Sequence, residues 1–460
     1  MKKNIFNIIL IMFWIVIVAV TASFHELWRD EAQVWCIARD CNFLEMLNMA
    51  RIEGHPVLWY IIIFPFAKSG FDVSIMQILS ILLNTAAVFI LLTQSNLSRF
   101  QKIITVFSAG LLYYFPIIAR NYALIPVSLF LISLFWEKRQ KYPYVYTALL
   151  ILLSQTHSYM LGLYLILALL FITENKNKFI FSSIILFINS IYLFFWFKSG
   201  AEINYALHTI SGNTLPFPKL IIFLSQIYLF DIVNTFKPLI KYAVPFSVIS
   251  FIPFIAIYLA ALFKENKKIF IILAVSISFV LHVFSTVYFN GILYQKLFLI
   301  ILLLIFGFTL QKENKNKLMI YSLNILLIIS CFSSFIQVKK EIMYNFSGGR
   351  ETAEYIKQNY YNETVFIAEG NPYLYSSVSA YLPNKKFYSP IIRDYISYYT
   401  YNPKIQNVPF PNNASIFITD EKTDLNELGL KAVFESNNSN LSSQSEREIF
   451  KIAVRKTNSH

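Results

Sequence analysis

The sequence predicts an all-α polytopic membrane protein, with about eleven to thirteen transmembrane helices and a small soluble C-terminal α/β domain. Three observations predict it. Hydrophobic residues make up 56% of the 460-residue chain and charged residues only 14%, against roughly 45–50% and about 25% in a soluble globular domain. The apolar residues run in stretches of roughly 20, the length that crosses the hydrocarbon layer as a helix. After residue 338 those runs shorten, and strand and turn signals replace them. An ordinary soluble enzyme is excluded at this level.

Along the chain, apolar segments lie near 4–23, 73–93, 102–118, 120–136, 143–156, 157–173, 179–197, 240–263, 269–287, 292–310 and 317–336. The start carries Lys2 and Lys3 before its apolar run, as a signal peptide does. The run is too long for one and no small-residue cleavage site follows, so an uncleaved first span is expected. Two shorter segments, 56–67 and 216–231, are interrupted by Pro56, Pro65, Pro216 and Pro218. Each reads either as a span or as a helix lying at the interface.

The formal charge is +13, and residues 1–338 hold 25 Lys+Arg against 13 Asp+Glu, while residues 339–460 hold 14 against 13. The excess belongs to the membrane part, where basic residues in short loops mark the side that is not translocated. Six clusters carry it: Lys2/Lys3, Arg99/Lys102, Lys138/Arg139/Lys141, Lys176/Lys178, Lys264/Lys267/Lys268 and Lys312/Lys315/Lys317. An eleven-span arrangement puts all six on one side. That side is expected to be the cytoplasm, with the N-terminus in it, and 24–72, 198–239 and the tail extracytoplasmic. The agreement holds if both short segments span or neither does. No nucleic-acid signature accompanies the charge. Cys36, Cys41 and Cys331 form no disulfide framework and show no metal-ligand spacing.

The expected domains are therefore a membrane domain over 1–338, with a first outer loop at 24–55, and an extracytoplasmic domain over 339–460. In the latter, turn residues occur at Ser347-Gly348-Gly349, Asn371-Pro372 and Pro411-Asn412-Asn413. A helix is expected over 351–359 and strands over 364–368 and 415–419. About 120 residues suffice for an independent core. No catalytic motif stands out there, and the chain shows no internal repeat.

The first outer loop is the most informative segment. Of the 13 acidic residues before 338, six fall between Glu26 and Glu53. The loop reads as amphipathic helix, with Trp28, Trp35, Leu44 and Leu47 expected to rest on the membrane. Arg39, Asp40, Glu45 and Arg51 read as solvated charges. Asp30 and Glu31 differ, being adjacent, close to the first span and flanked by Trp28 and Arg29. Asp30 is the candidate catalytic carboxylate. Glu31 faces elsewhere on a helix and is either its partner or structural.

Three further polar residues fall at the expected outer ends of spans. Arg120 is a cation between two apolar segments, pointing to a ligand or to a paired acid of the first loop. His157 sits at a second outer junction and either binds a ligand or satisfies a helix end. Lys296 opens a late span, as a ligand contact or a snorkelling side chain. Taken together they suggest first-loop carboxylates facing later cations: a phosphate-bearing lipid needs the cations, and an acceptor hydroxyl needs the carboxylate.

At these residues the sequence resembles the GT-C glycosyltransferases. Within them it is similar to bacterial dolichyl-phosphate-mannose protein mannosyltransferase-like proteins and aminoarabinose transferases. The resemblance rests on Trp28-Arg29-Asp30-Glu31-Ala32, Glu53-Gly54-His55-Pro56-Val57-Leu58-Trp59-Tyr60, Ala119-Arg120-Asn121-Tyr122 and Thr156-His157-Ser158-Tyr159, in order over roughly residues 1 to 175. It implies a GT-C-like membrane enzyme that takes a sugar from a polyprenyl-phosphate carrier and passes it to a glycan, lipid or protein acceptor on the outer face. It implies Asp30 as the catalytic base, with Glu31 matching the second member of the acidic pair. Arg29, His55, Arg120, Tyr122, His157, Tyr159 and Lys296 are the expected substrate contacts. No cofactor is implied, since the relatives are metal-independent, although Asp30 and Glu31 with His55 or His25 would offer a divalent metal ligands. The sequence departs from the pattern at Val57, Ser158 and Met160, and Lys296 stands where relatives carry an Arg-Tyr pair.

The chemistry is consistent with that reading. A phosphate-linked sugar carries its own leaving group, so the protein must deprotonate an acceptor hydroxyl, align it and neutralise the departing phosphate. Direct displacement inverts the anomeric centre; a retaining route needs a second carboxylate nearby, for which Glu31 is the candidate. The rival from another class is a polytopic transporter or lipid flippase, which should show repeats and midplane ionisable residues. A further alternative is a binding or assembly protein whose tail is the functional part.

Overall fold

The computed structural model describes residues 2–175, 179–203, 243–286, 293–311, 316–368, 375–390, 393–400, 414–437 and 448–456. The short segment 216–231, the Lys176/Lys178 and Lys312/Lys315 clusters, and the turns at Asn371-Pro372 and Pro411-Asn412-Asn413 lie outside the described residues. The helices in chain order are α1 (Lys2–Phe24), α2 (Arg29–Asp40), α3 (Phe43–Ile52), α4 (Leu58–Lys68), α5 (Ile75–Gln94), α6 (Arg99–Val106), α7 (Leu124–Phe135) and α8 (Pro143–Ser154). Then come α9 (Leu161–Asn175), α10 (Ile180–Ile203), α11 (Ala243–Glu265), α12 (Lys267–Thr286), α13 (Leu293–Thr309), α14 (Lys317–Met343), α15 (Gly349–Asn359) and α16 (Ser376–Ser379). The chain divides into two compact units: one of 1–22, 53–59 and 77–339, the other of 23–52, 60–76 and 340–460.

In the first unit the helices are apolar on both faces. On α1, Leu10, Trp14 and Val18 are buried at a spacing of four, while Ile5, Ile8, Ile9, Met12, Phe13 and Val16 are exposed on the other side. An exposed face of that kind is stable only against lipid. Five described stretches are long and apolar enough to cross a membrane: Ile5–Phe24, Ile75–Gln94, Ile180–Gly200, Lys267–Ser285 and Lys317–Met343. The protein is a membrane protein on that ground. Helix α12 packs closely on α9 and α13 because glycines remove the obstacle: a Cβ on Gly162 would lie 2.4 Å from Phe279, and one on Gly307 the same distance from Leu273.

The expected spans near 120–136, 143–156 and 157–173 form apolar helices of 10–17 residues, the one at 102–118 is broken, and 56–67, read as either a span or an interfacial helix, is short. Residues 102–118 are not one helix: α6 ends at Val106, and Gly110–Tyr114 forms a π-helical turn in which Phe115 N–H donates to Gly110 O at 3.0 Å. Pro116 cannot donate, and that ends regular helix there. The 56–67 segment becomes α4, eleven residues around Pro65, about 16 Å at 1.5 Å per residue and short of the roughly 30 Å hydrocarbon layer.

Charged loops gather at one end of this unit. Glu174, at the end of α9, pairs with Arg139 at 2.8 Å and with Lys268 of α12, so two of the basic clusters meet at one carboxylate. Asn316 Nδ2 donates to Glu265 at 3.2 Å, joining the loops flanking α12 and α13.

The second unit is built on a six-stranded sheet of β1 (Val365–Ile367), β2 (Phe387–Ser389), β3 (Asp394–Ile396), β4 (Ile416–Asp420), β5 (Leu430–Glu435) and β6 (Phe450–Arg455). Its order is β3-β2-β1-β4-β6-β5. Strands β2, β1 and β4 are parallel, and the outer pairings are antiparallel. Alternation along β1 sends Val365 and Ile367 into one core with Ile356, Val378 and Phe450, and Phe366 into another with Phe417 and Leu430. Helices α15 and α16 cover the first face, and α2 packs against α16.

Candidate functional site

Helix α2 carries Asp30 and Glu31, and eight of its twelve residues, Glu31 to Ala38, are buried. Trp28 and Trp35 are buried within the same unit instead of resting on a membrane, while Leu44 is exposed. Arg39 and Asp40 are not solvated either. Arg39 Nε and Nη2 each donate to Asp40 at 2.9 Å, Arg39 Nη1 donates to Ser379 O at 2.9 Å, and Ser397 Oγ donates to Asp40. Burial would raise the Asp40 pKa, but the Arg39 guanidinium outweighs it and holds the carboxyl below its usual range. Glu45 behaves as a cap: it accepts Asn42 N–H at 2.8 Å while Asn42 Oδ1 accepts Glu45 N–H at 3.0 Å.

Glu31 is fully buried, and its Oε2 accepts both His25 Nε2–H at 3.0 Å and Trp28 N–H at 3.3 Å. His25 Nδ1–H reaches Glu341 at 2.8 Å, so an imidazole lies between two carboxylates with no exposure at any of the three side chains. Burial alone would lower the His25 pKa; the charges of Glu31 and Glu341 outweigh it and push it up to about 10. Both His25 ring nitrogens are thus engaged by carboxylates. Glu31 holds the loop together.

Asp30 sits one residue earlier with its side chain 16% accessible, and Arg29 Nε is 3.8 Å from its Oδ1. Arg29 also lies over the Trp28 ring, 5.3 Å from its centroid. The residues that hold this segment come from the tail. Arg29 N–H donates to Glu448 at 2.9 Å, and Ser347 Oγ donates to the other oxygen of Glu448 at 2.6 Å. Leu27 N–H donates to Tyr381 Oη at 2.8 Å and Ser347 N–H to Glu26 at 3.2 Å. Arg350 Nη2 donates to His25 O at 2.9 Å. Burial pushes the carboxyls of Glu26 and Glu448 up to about 7 against the pull of Arg350 and Arg29 respectively.

In the first unit, His55, Arg120, Tyr122, His157 and Tyr159 come together. Gly54, at φ 69°, turns the chain into His55, whose carbonyl accepts Trp196 Nε1–H at 3.0 Å. Arg120 is extended and precedes a 3-10 turn over Asn121–Ala123. Its Nη2 lies 3.4 Å from His55 Nε2, and its guanidinium lies 5.8 Å from the Tyr122 ring centroid. His157 is centred 4.3 Å from Tyr122 and 4.5 Å from Tyr159, stacked on the latter at 14°, and 5.8 Å from His55.

Proton positions follow from these contacts. His157 caps the next 3-10 turn by accepting Tyr159 N–H at Nδ1, 3.1 Å away, so the neutral ring carries its proton on Nε2. A guanidinium only donates, so His55 Nε2 accepts from Arg120 and the His55 proton is on Nδ1. The arrangement brings a permanent cation beside two imidazoles, a set of side chains of the kind that suits a phosphate oxygen. His157, Tyr122 and Tyr159 are buried; Arg120 and His55 are half-buried. The cluster lies at the start of α9, and the Arg139–Glu174–Lys268 cluster at its far end, about 22 Å away over fifteen residues. Lys296 lies on α13, and its side chain falls outside the described residues.

Sequence reasoning singled out none of Trp196, Glu341, Arg350, Tyr381 or Glu448, and saw Ser347 only as a turn residue. All but Trp196 act on partners hundreds of positions away, and no local spacing signals that. Compared with protein-family models, with curated proteins and with solved structures, the chain matches none.

Proposed function

We propose that this membrane protein is a glycosyltransferase. In this reading it moves a sugar from a polyprenyl-phosphate carrier to an acceptor hydroxyl at the extracytoplasmic face by one inverting displacement. The observation that carries the reading is the Arg120–His55–His157 donor cluster, backed by Tyr122 and Tyr159, at the end of apolar helices opposite the basic loops. A phosphate anchored to a hydrocarbon chain is the ligand such a cluster suits. Under this reading Arg120 neutralises the departing phosphate, His157 Nε2–H donates to one of its oxygens, and Lys296 supplies a second cation.

Asp30 takes the proton of the acceptor hydroxyl. It is the accessible member of the acidic pair, whereas Glu31 is committed to His25 and Trp28. With Glu31 so engaged, the second carboxylate considered for a retaining route is committed to His25 and Trp28. The acceptor is a glycan, lipid or protein, and its extracytoplasmic placement rests on the expectation that basic loops stay on the cytoplasmic side.

The test is transfer from a panel of polyprenyl-phosphate sugars by the purified protein in vesicles. The native chain should release polyprenyl phosphate with one donor, and Asp30→Asn should lower the rate by about 10²–10⁴, the contribution of a general base. Transfer by Asp30→Asn at the native rate would remove the base assignment. No transfer with any donor would favour a transporter.

A further inference from the structure

We infer that Glu448 of the tail positions Asp30, by holding the N-terminus of the helix on which Asp30 stands. The inference rests on Asp30 as the base of the proposed reaction. It gives the C-terminal sheet region a part in the chemistry, though no catalytic motif lies within it.

The geometry is local and complete. Arg29 is the first residue of α2, and its N–H is one of the donors that a helix leaves without an intrahelical partner. Trp28, the residue before it, has no side-chain acceptor to offer. Glu31 turns back to take Trp28 N–H at 3.3 Å, and Glu448 takes Arg29 N–H at 2.9 Å. Asp30 therefore follows directly on a backbone amide fixed by a carboxylate 419 positions away.

Glu448 is itself fixed. It is 1% exposed, its second oxygen accepts Ser347 Oγ at 2.6 Å, and its own carbonyl accepts Gly348 N–H at 2.9 Å. The Ser347-Gly348-Gly349 turn allows this close approach. A Cβ on Gly348 would lie 2.1 Å from Ser436 Oγ and 2.8 Å from the Glu448 carbonyl, and one on Gly349 would lie 2.6 Å from Ser377 O. A negative group at a helix N-terminus is electrostatically favoured, so burial of this carboxylate has a compensating partner in α2. The charged neighbours of Glu448 are Arg29, which attracts it, and Asp30, which repels it. Glu448 touches no reacting atom in this account.

The experiment compares the full-length native chain with Glu448→Ala, Glu448→Gln and Asp30→Asn, normalised to folded protein. Glu448→Ala should lower kcat about 10- to 100-fold, the effect of a base displaced by about an ångström, with KM for the lipid donor within about twofold. Glu448→Gln keeps an oxygen for Arg29 N–H and should recover most of the loss. Amide exchange, read without substrate, should quicken at 28–32 in Glu448→Ala while strands β4 and β6 keep native protection. Native kcat in Glu448→Ala, with Asp30→Asn inactive, would overturn the positioning role alone. Unchanged exchange at 28–32, or equal loss across the sheet, would also overturn it. If Glu448→Ala does not fold, Glu448→Gln decides: near-native kcat and exchange support the inference, and a loss as large as that of Asp30→Asn refutes it. Native activity in Asp30→Asn would instead bring down the reading of the base.

Discussion

Replacing His25 by alanine leaves Glu31 and Glu341 buried without the cation between them. Removing one member of a buried ion pair costs about 3–5 kcal/mol, because the remaining charge has lost its compensation without regaining water. The imidazole supports the direction: burial would lower its pKa, but the charges of Glu31 and Glu341 outweigh burial and push it up to about 10, so the folded state holds the cation. Spread over a unit of this size, such a loss lowers the unfolding midpoint by roughly 6–20 °C. Cys36 and Cys41 are buried on and just after α2, so their thiol labelling against temperature reports on this unit, with Cys331 replaced by serine to silence the other. His25→Ala/Glu31→Gln/Glu341→Gln removes the charges together and should recover at least half of the loss, since discharging the whole triad abolishes the uncompensated burial. A His25→Ala midpoint within about 2 °C of native, or a triple variant no better than the single one, would refute the reasoning.

The His157 tautomer can be separated from its role as a cap. His157→Gln keeps an N–H donor near the Nε2 position and His157→Asn keeps an acceptor near Nδ1, so transfer should survive better in the glutamine variant; the reverse order would make His157 a cap only. Stability of the second unit should fall as pH rises. Glu26 and Glu448 have folded pKa values raised from 4.5 to about 7, and His25 from 6.5 to about 10. The folded state binds the extra protons, so these contributions are fully present below the unfolded values and are lost across about 4.5–7 and 6.5–10. The Cys36 and Cys41 labelling midpoint should therefore drop between pH 5 and pH 9, and a flat or rising midpoint would contradict this.

What the sequence made legible follows from how local each signal is. The helix expected over 351–359 and the strands over 364–368 and 415–419 appear as α15, β1 and β4, because alternating or periodic burial is written in consecutive residues. Arg120 and His157 could be singled out as polar residues interrupting apolar runs, Tyr122 and Tyr159 only through the resemblance, and the structure gathers them about His55. The π-helical turn at Gly110–Tyr114 was not legible, since the apolar pattern of 102–118 is the same for a continuous helix and only Gly110 and Pro116 distinguish them. Arg39 and Asp40 were misread as solvated for a related reason: the residues that bury them, Ser379 and Ser397, arrive from the tail. Glu448 follows an Asn/Ser-rich stretch and matches no motif; its meaning lies in one amide of α2.

The most direct test of the account is a structure of the protein in a lipid nanodisc with a polyprenyl phosphate bound. The account predicts the phosphate within hydrogen-bonding distance of the Arg120 guanidinium and His157 Nε2, with that binding weakened in Arg120→Ala. A phosphate seated on other residues, with Arg120 and His157 untouched, would contradict it.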